Sequence, residues 1–179
     1  EGVALSRQAG DARLEALCLR EAGLAMRDSG DHAAAQEALE RALALFCQVG
    51  DEVFTIHTLG NLATLHWYLG EYAQAMVLGR QALARCDAAE LPLERRLPLG
   101  DMGAAAAALG DAEFARRWLG ESLEIARRVA DRTQDILCRV HLGWLALRHS
   151  QPAEALAHLQ AGLALAEQIG SCTEQGWLL

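Results

Sequence analysis

The stretch DEVFTIHTLGNLATLHWYLGEYAQAMVLGRQALARCDAAE, residues 51–90, holds one complete structural unit, and the rest of the chain repeats it. Asp51 is a helix-capping residue: its carboxylate accepts a hydrogen bond from an early amide that has no partner inside the helix. Val53, Ile56, Leu59, Leu62, Ala63 and Leu65 follow at helical spacing. Gly70 stops this first helix, because glycine takes the left-handed cap conformation at little cost. Glu71 starts a second helix, with Ala75, Leu78, Ala82 and Leu83 as its buried stripe. The unit is a helical hairpin, helix A followed by helix B.

Outward from this unit the pattern recurs. Gly30-Asp31, Gly70-Glu71 and Gly110-Asp111 stand 40 residues apart, and Ser150-Gln151 holds the fourth place. Five residues after the first member of each pair come Ala35, Ala75, Ala115 and Ala155, and eight further on come Leu43, Leu83, Leu123 and Leu163. A small residue, Gly23, Ala63, Gly103 or Gly143, precedes each turn by seven. Full units are expected over 11–50, 51–90, 91–130 and 131–170, in one array covering 1–179. Residues 2–11 align with 42–51 and with 162–171, so 1–10 read as the end of a preceding unit and 171–179 as the start of a further one. That arrangement reads as a segment of a longer array, or as one whose ends dock on another surface.

Such a repeat predicts eight complete helices in four antiparallel pairs, partial helices at both ends, and no sheet. Capping-box spacings stand at Asp131…Gln134 and Ser171…Glu174. Pro152 suits a first helical position, whereas Pro98 falls inside the third helix A. Val3, Leu5, Trp177 and Leu178 belong to the interrupted units, and exposed apolar patches there predict self-association through the array ends.

Composition narrows the function. All 16 basic residues are arginine, which fits a GC-rich, bacterial genome. Without lysine there is no P-loop and no Schiff-base chemistry. The net charge of −8 repels phosphate backbones, so no direct nucleic-acid contact is expected of this segment. No apolar run approaches the ~20 residues of a membrane span. Cys18, Cys47, Cys86, Cys138 and Cys172 are odd in number and form no CxxC, the pattern of reduced cysteines in a cytoplasmic protein.

The unit resembles a tetratricopeptide repeat (TPR). In helix A the first large apolar place holds Leu19, Leu59 and Leu99. The Leu-Gly/Ala pair appears as Leu62-Ala63, Met102-Gly103 and Leu142-Gly143. Helix B carries Ala35-Leu39-Ala42, Ala75-Gly79-Ala82, Ala115-Leu119-Ser122 and Ala155-Leu159-Gly162. The period of 40 exceeds the common 34, Arg139 replaces one large apolar residue, and the aromatic place holds Met26, His66, Ala106 and Ala146. The resemblance implies an all-α, right-handed superhelix of antiparallel helix pairs. Long Ala/Leu/Arg-rich repeats of this kind also resemble the arrays of MalT-like and LuxR-type bacterial activators and signalling ATPases, in which the array is the sensor or partner arm.

By the family register, the groove-facing positions of helix A include Arg20, Arg27, His57, Asn61, Thr64, Trp67, Tyr68, His141, Trp144 and Arg148. Trp, Tyr and Arg are the types most often found as binding hot spots. The same tryptophans could instead pack between neighbouring units, since Trp is large and highly buried on average. A dicarboxylate clamp is not expected. Its places in units two to four carry Gly60, Gly100 and Val140, then Thr64, Ala104 and Trp144. Ala104 to Ala108 forms a smooth wall. Cys138 and His141 share a helix face but lack further ligands at zinc spacing, and no oriented nucleophile–base pair stands out. The expectation is a non-catalytic protein-interaction scaffold without metal or cofactor. It would be the sensor or partner-binding segment of a larger bacterial regulator, binding a protein or peptide in its concave groove. The alternative is a small-ligand or peptide effector sensor, which a closed aromatic pocket would favour.

Overall fold

The computed structural model describes residues 2–170. Among them are nine helices and no strand: α1 (Gly2–Gln8), α2 (Ala12–Asp28), α3 (His32–Val49), α4 (Glu52–Tyr68), α5 (Tyr72–Ala88), α6 (Arg96–Leu109), α7 (Ala112–Arg128), α8 (Arg132–Arg148) and α9 (Pro152–Ile169). The fold is an all-α helical repeat. The chain forms two compact units, residues 1–91 and 92–179. The Ser171…Glu174 spacing, Trp177 and Leu178 lie outside the described residues.

One turn device ends almost every helix. At the end of α2, Gly30 has φ +87°. Its N–H donates to the Arg27 carbonyl at 3.0 Å, and the Asp31 N–H donates to the Met26 carbonyl at 2.9 Å. This pair of bonds is the Schellman arrangement. Asp31 then begins α3, where its carboxylate accepts from the Ala34 N–H at 3.2 Å. One Gly-Asp dipeptide therefore closes one helix and opens the next. The device recurs every 20 residues, at Gly10, Gly30, Gly50, Gly70 and Gly110, twice as often as the 40-residue unit. Where glycine is missing, Glu90, Ala130 and Ser150 still adopt positive φ of 53°, 56° and 57°. Each accepts a left-handed conformation that costs an L-residue about 1–2 kcal/mol.

Unit 1 comprises the pairs α2/α3 and α4/α5, with α1 packed on α2. Ala35 and Ala75 are fully buried where the helices of each pair approach. A Cβ placed on Gly23 would lie 2.9 Å from Leu39 Cγ, so the small residue on helix A makes room for the leucine on helix B. In the second pair the sizes change sides: helix A has Ala63 and helix B has Gly79. Ala16, Leu19, Ala42 and Phe46 form a core cluster on which Val3 packs. Val3 is therefore half-buried, while Leu5 is exposed. Arg13 on α2 donates to Asp51, the cap of α4, at 2.8 Å, which ties successive A helices together.

Unit 2 repeats these features with one change. Its first helix starts late, at Arg96, after a turn over 92–95. Pro98 sits in the first turn, where a missing N–H costs nothing to the helix. The expected interruption at Pro98 is thus resolved by shortening α6 to 14 residues. Arg96 donates to Asp131, the cap of α8, at 2.8 Å, repeating the Arg13–Asp51 tie.

The expected capping box at Asp131…Gln134 is only half made. Asp131 accepts from the Gln134 N–H at 3.0 Å. The Gln134 side chain does not return the bond; it turns inward. Its amide donates to Ser122 Oγ at 3.0 Å and to the Arg96 carbonyl at 3.2 Å. Ser122 Oγ donates to that carbonyl at 2.6 Å, and Cys138 Sγ lies 3.2 Å from Ser122 Oγ. A buried amide is tolerated only because it is bonded.

Candidate partner-binding faces

In unit 1 the A helices α2 and α4 bring together Arg20, Arg27, His57, Asn61, Thr64, Trp67 and Tyr68, with two residues that the family register did not single out, Arg13 and Phe54. The Phe54 ring stacks on Phe46 at 5.2 Å and meets His57 edge-on at 5.8 Å. The guanidinium groups of Arg13 and Arg20 each lie 5.3 Å from the Phe54 ring centre. Arg27 lies 5.8 Å from the Tyr68 ring centre. Cations over aromatic faces are attracted by the ring quadrupole, so these arginines are held along the protein surface. Tyr68 is 47% exposed, whereas Trp67 is half-buried and packs edge-on against Tyr68 at 5.5 Å and near Tyr72 at 6.3 Å.

Two donors on this face are uncompensated. Arg20 Nε and Asn61 Nδ2 are buried and have no hydrogen-bond partner among the described residues. The Arg20 terminal nitrogen is bonded to Glu21 at 2.5 Å, and Arg27 to Asp28 at 2.8 Å; both acids are largely exposed. Thr64 is half-buried.

In unit 2 the corresponding helices are α6 and α8. Trp144 is 44% exposed and meets His141 edge-on at 6.0 Å. Arg148 is exposed, and its Nη1 donates to the Ala107 carbonyl at 2.8 Å, which fixes it against the end of α6. His141 is more buried than its register position suggests, and burial pushes its imidazole down to about 4. Ala104, Ala105 and Ala106 are buried, so only Ala107 and Ala108 of the predicted wall are partly open.

Cys138 is engaged in the buried Ser122–Gln134 network. Burial pushes the Cys138 thiol up to about 12, against the lowering effect of its bonds to Ser122 and Gln134. No cluster of three metal-ligating residues exists among the described residues. No helix among them is long and apolar enough to cross a membrane. In unit 1 a cleft of about 560 Å³ lies among Arg13, Val49, Asp51, Glu52, Val53 and Leu91 at the turns, and no aromatic ring lines it. A second aromatic pair that the sequence reading missed lies on helix B of unit 2. Phe114 and Trp118 stack at 4.9 Å, and Phe114 is 43% exposed. Their i, i+4 spacing was the available signal.

Paired helices with a shared turn device and small residues at each crossing define an all-α helical-repeat protein. The tetratricopeptide repeat profile matches residues 16–88 and 94–168, and the chain belongs to that family. No curated protein sequence matches it. Among solved structures, aspartyl phosphate phosphatase F from Bacillus subtilis is similar over 94% of this chain at a TM-score of 0.75 and 11% identity. The chain spans 44% of that protein's length. A Podosopora anserina putative kinesin light chain with nearly identical TPR-like repeats matches over 94% of this chain and 83% of its own, at a TM-score of 0.63 and 19% identity. At these identities the likeness shows the fold alone.

Proposed function

We propose that this chain is a non-catalytic scaffold whose A-helix faces bind a polypeptide, with Trp67, Tyr68, Trp144 and Arg148 as anchors and Arg20, Arg27, His57, Asn61, Thr64 and His141 around them. The observation that carries the reading is the exposure of Trp144 beside an Arg148 already held by the Ala107 carbonyl. Large planar side chains lose little rotamer freedom for the area they bury, and a fixed guanidinium adds directed hydrogen bonds. Membership of the TPR family supports an interaction role. No aromatic side chain lines the cleft at the turns of unit 1, so nothing there favours the small-effector alternative.

The wider setting we propose is the sensor or partner arm of a larger bacterial signalling or transcription-regulatory protein in the cytoplasm, without direct nucleic-acid contact. The support is the resemblance of its long Arg-rich repeats to those of such regulators. A parent polypeptide lacking both an NTPase and a helix-turn-helix segment would overturn that setting.

The test of the binding reading is Trp144→Ala. A partner captured on the immobilised chain is identified and titrated against wild type and variant by calorimetry. The variant is expected to bind about 30-fold more weakly, or ~2 kcal/mol, with unchanged helix content. A variant that melts early yet binds normally once folded would make Trp144 a packing residue and sink the reading.

A further inference from the structure

We propose that the fourth repeat carries an oxyanion site, in which Arg127, Arg139 and His158 hold a phosphoryl group. The site goes beyond the polypeptide-binding reading and lies elsewhere in unit 2. Arg139 and Arg148 stand nine residues apart on α8, about 180° around the helix, so Arg139 is on the far side of α8 from the Arg148 anchor.

Two places that the other units fill with apolar side chains are basic here. Arg139 stands where the first three units bury Leu19, Leu59 and Leu99. His158 stands where they carry the buried Ala38 and Leu78 and the half-buried Trp118. The Arg139 side chain is only 12% exposed. A guanidinium so far from water needs partners for its charge and its five N–H groups. Among the described residues it has one, Asp135, to which its Nε donates. Its Nη groups have none.

That one partner is already shared. Arg127 on α7 donates to the other Asp135 oxygen at 3.3 Å. This second bond is a feature of the repeat: Arg7 and Glu15 stand 120 residues before Arg127 and Asp135, and they pair at 2.6 Å. It ties one unit's helix B to the next unit's helix A, and its charge is balanced without Arg139. Glu15 also meets a second arginine, Arg41, but Arg41 is 48% exposed, where water carries its charge. Arg139 instead adds an excess positive charge in a nearly dry place, on a carboxylate itself only 10% exposed. Buried charges persist when they are paired.

The groups converge. Both guanidinium groups reach one carboxylate, and both act on His158 of α9. Burial, then Arg139, holds its imidazole below the ordinary 6.5; Arg127 adds to this, and Glu154, one turn earlier on α9, opposes it. A phosphoryl group answers this arrangement. It brings three acceptor oxygens and nearly two charges, and guanidinium forks bind it through paired donors. Its charge draws a proton onto His158, which then donates as well. A further carboxylate, with one charge and two oxygens, would only repeat what Asp135 supplies.

The experiment is isothermal titration calorimetry of the chain with inorganic phosphate and with sulfate, which does not titrate near neutrality, at constant ionic strength. Saturable one-to-one binding is expected. With sulfate it should be accompanied by proton uptake, read as a heat that varies with the ionisation enthalpy of the buffer. Arg139→Leu restores the residue of the other units and keeps the Arg127–Asp135 tie. It should fold at least as stably yet bind at least about tenfold more weakly. His158→Leu should abolish the proton uptake. Arg7→Gln, which cuts the equivalent tie in unit 1, and Trp144→Ala should leave binding unchanged. A short capped phosphoserine peptide separates the sources: tighter binding than inorganic phosphate assigns a phosphorylated polypeptide, weaker binding a free ion. Unsaturable heats, undiminished binding to Arg139→Leu, or acetate binding as well as phosphate would each overturn the inference. None of these results bears on capture of a partner by Trp144, so the two readings fail separately.

Discussion

Gly100→Ala separates backbone propensity from packing in unit 2. By helix propensity alone the change should stabilise α6 by about 1 kcal/mol. The structure gives the opposite sign. A Cβ on residue 100 would lie 2.1 Å from Gln134 Nε2 and 3.2 Å from Ser122 Oγ. The amide cannot stay, and moving it breaks its bonds to Ser122 Oγ and the Arg96 carbonyl. Each buried polar group so orphaned costs about 1–3 kcal/mol. Two losses against one gain leave a net destabilisation of about 1–5 kcal/mol, read as a lower urea midpoint at unchanged slope. Gln134→Ala in the same background removes the clash and keeps the Ser122–Arg96 bond. The double variant should therefore be more stable than the sum of the singles by at least about 1 kcal/mol. A neutral or stabilising Gly100→Ala, or a cycle with no coupling, would refute the argument.

Gly103→Ala places a Cβ 2.6 Å from Leu119 Cγ and should cost about 1–3 kcal/mol by thermal melting, with Leu119→Ala in the same background recovering part of it. Asp111→Ala removes the acceptor of the Phe114 N–H and should cost about 1 kcal/mol; Gln151→Ala, which loses no side-chain cap bond, should cost less than half of that on the same scale. Burial holds His141 at about 4 against its ordinary 6.5, so the unfolded chain takes the proton first. Its contribution is whole above pH 6.5 and drains as pH falls toward 4, at no more than about 1.4 kcal/mol per pH unit. His158, also lowered by burial and by Arg139, adds in the same direction. Urea titrations across that range should give a shallower slope for His141→Phe.

Elements written in local sequence were legible. Asp51, Gly70 and Ala75 each act through neighbours within a few residues or through a repeated crossing, so periodicity alone places them. The 20-residue recurrence of the turn was hidden because Glu90, Ala130 and Ser150 hold the glycine conformation without being glycine. Gln134 was misread for a different reason. The Asp131…Gln134 spacing states that a side chain three residues on could return to the cap, but its direction is decided elsewhere. The missing Cβ at Gly100, 34 residues earlier, opens the space that the amide fills. That is a contact between two repeats, and no single repeat carries it.

The proposed binding faces show the same division. Arg20 and Arg27 were reachable from the repeat register, because register assigns the face of one helix. Arg13 and Phe54 were not. Their roles depend on how far α4 is shifted along α2, and that shift is set by the Arg13–Asp51 tie and by Phe46 stacking under Phe54. His141 and Trp144 make the point within one helix. They stand three residues apart and touch edge-on, yet one lies in a surrounding that strips its charge and the other leaves 44% of its surface open. A rotation of about 300° along the helix (three steps at 3.6 residues per turn) separates them by some 60° around its axis. That angle is enough to turn one ring toward the protein and the other toward solvent. Register alone grouped the two; the packing of α8 against α6 distinguishes the more open ring from the more buried one.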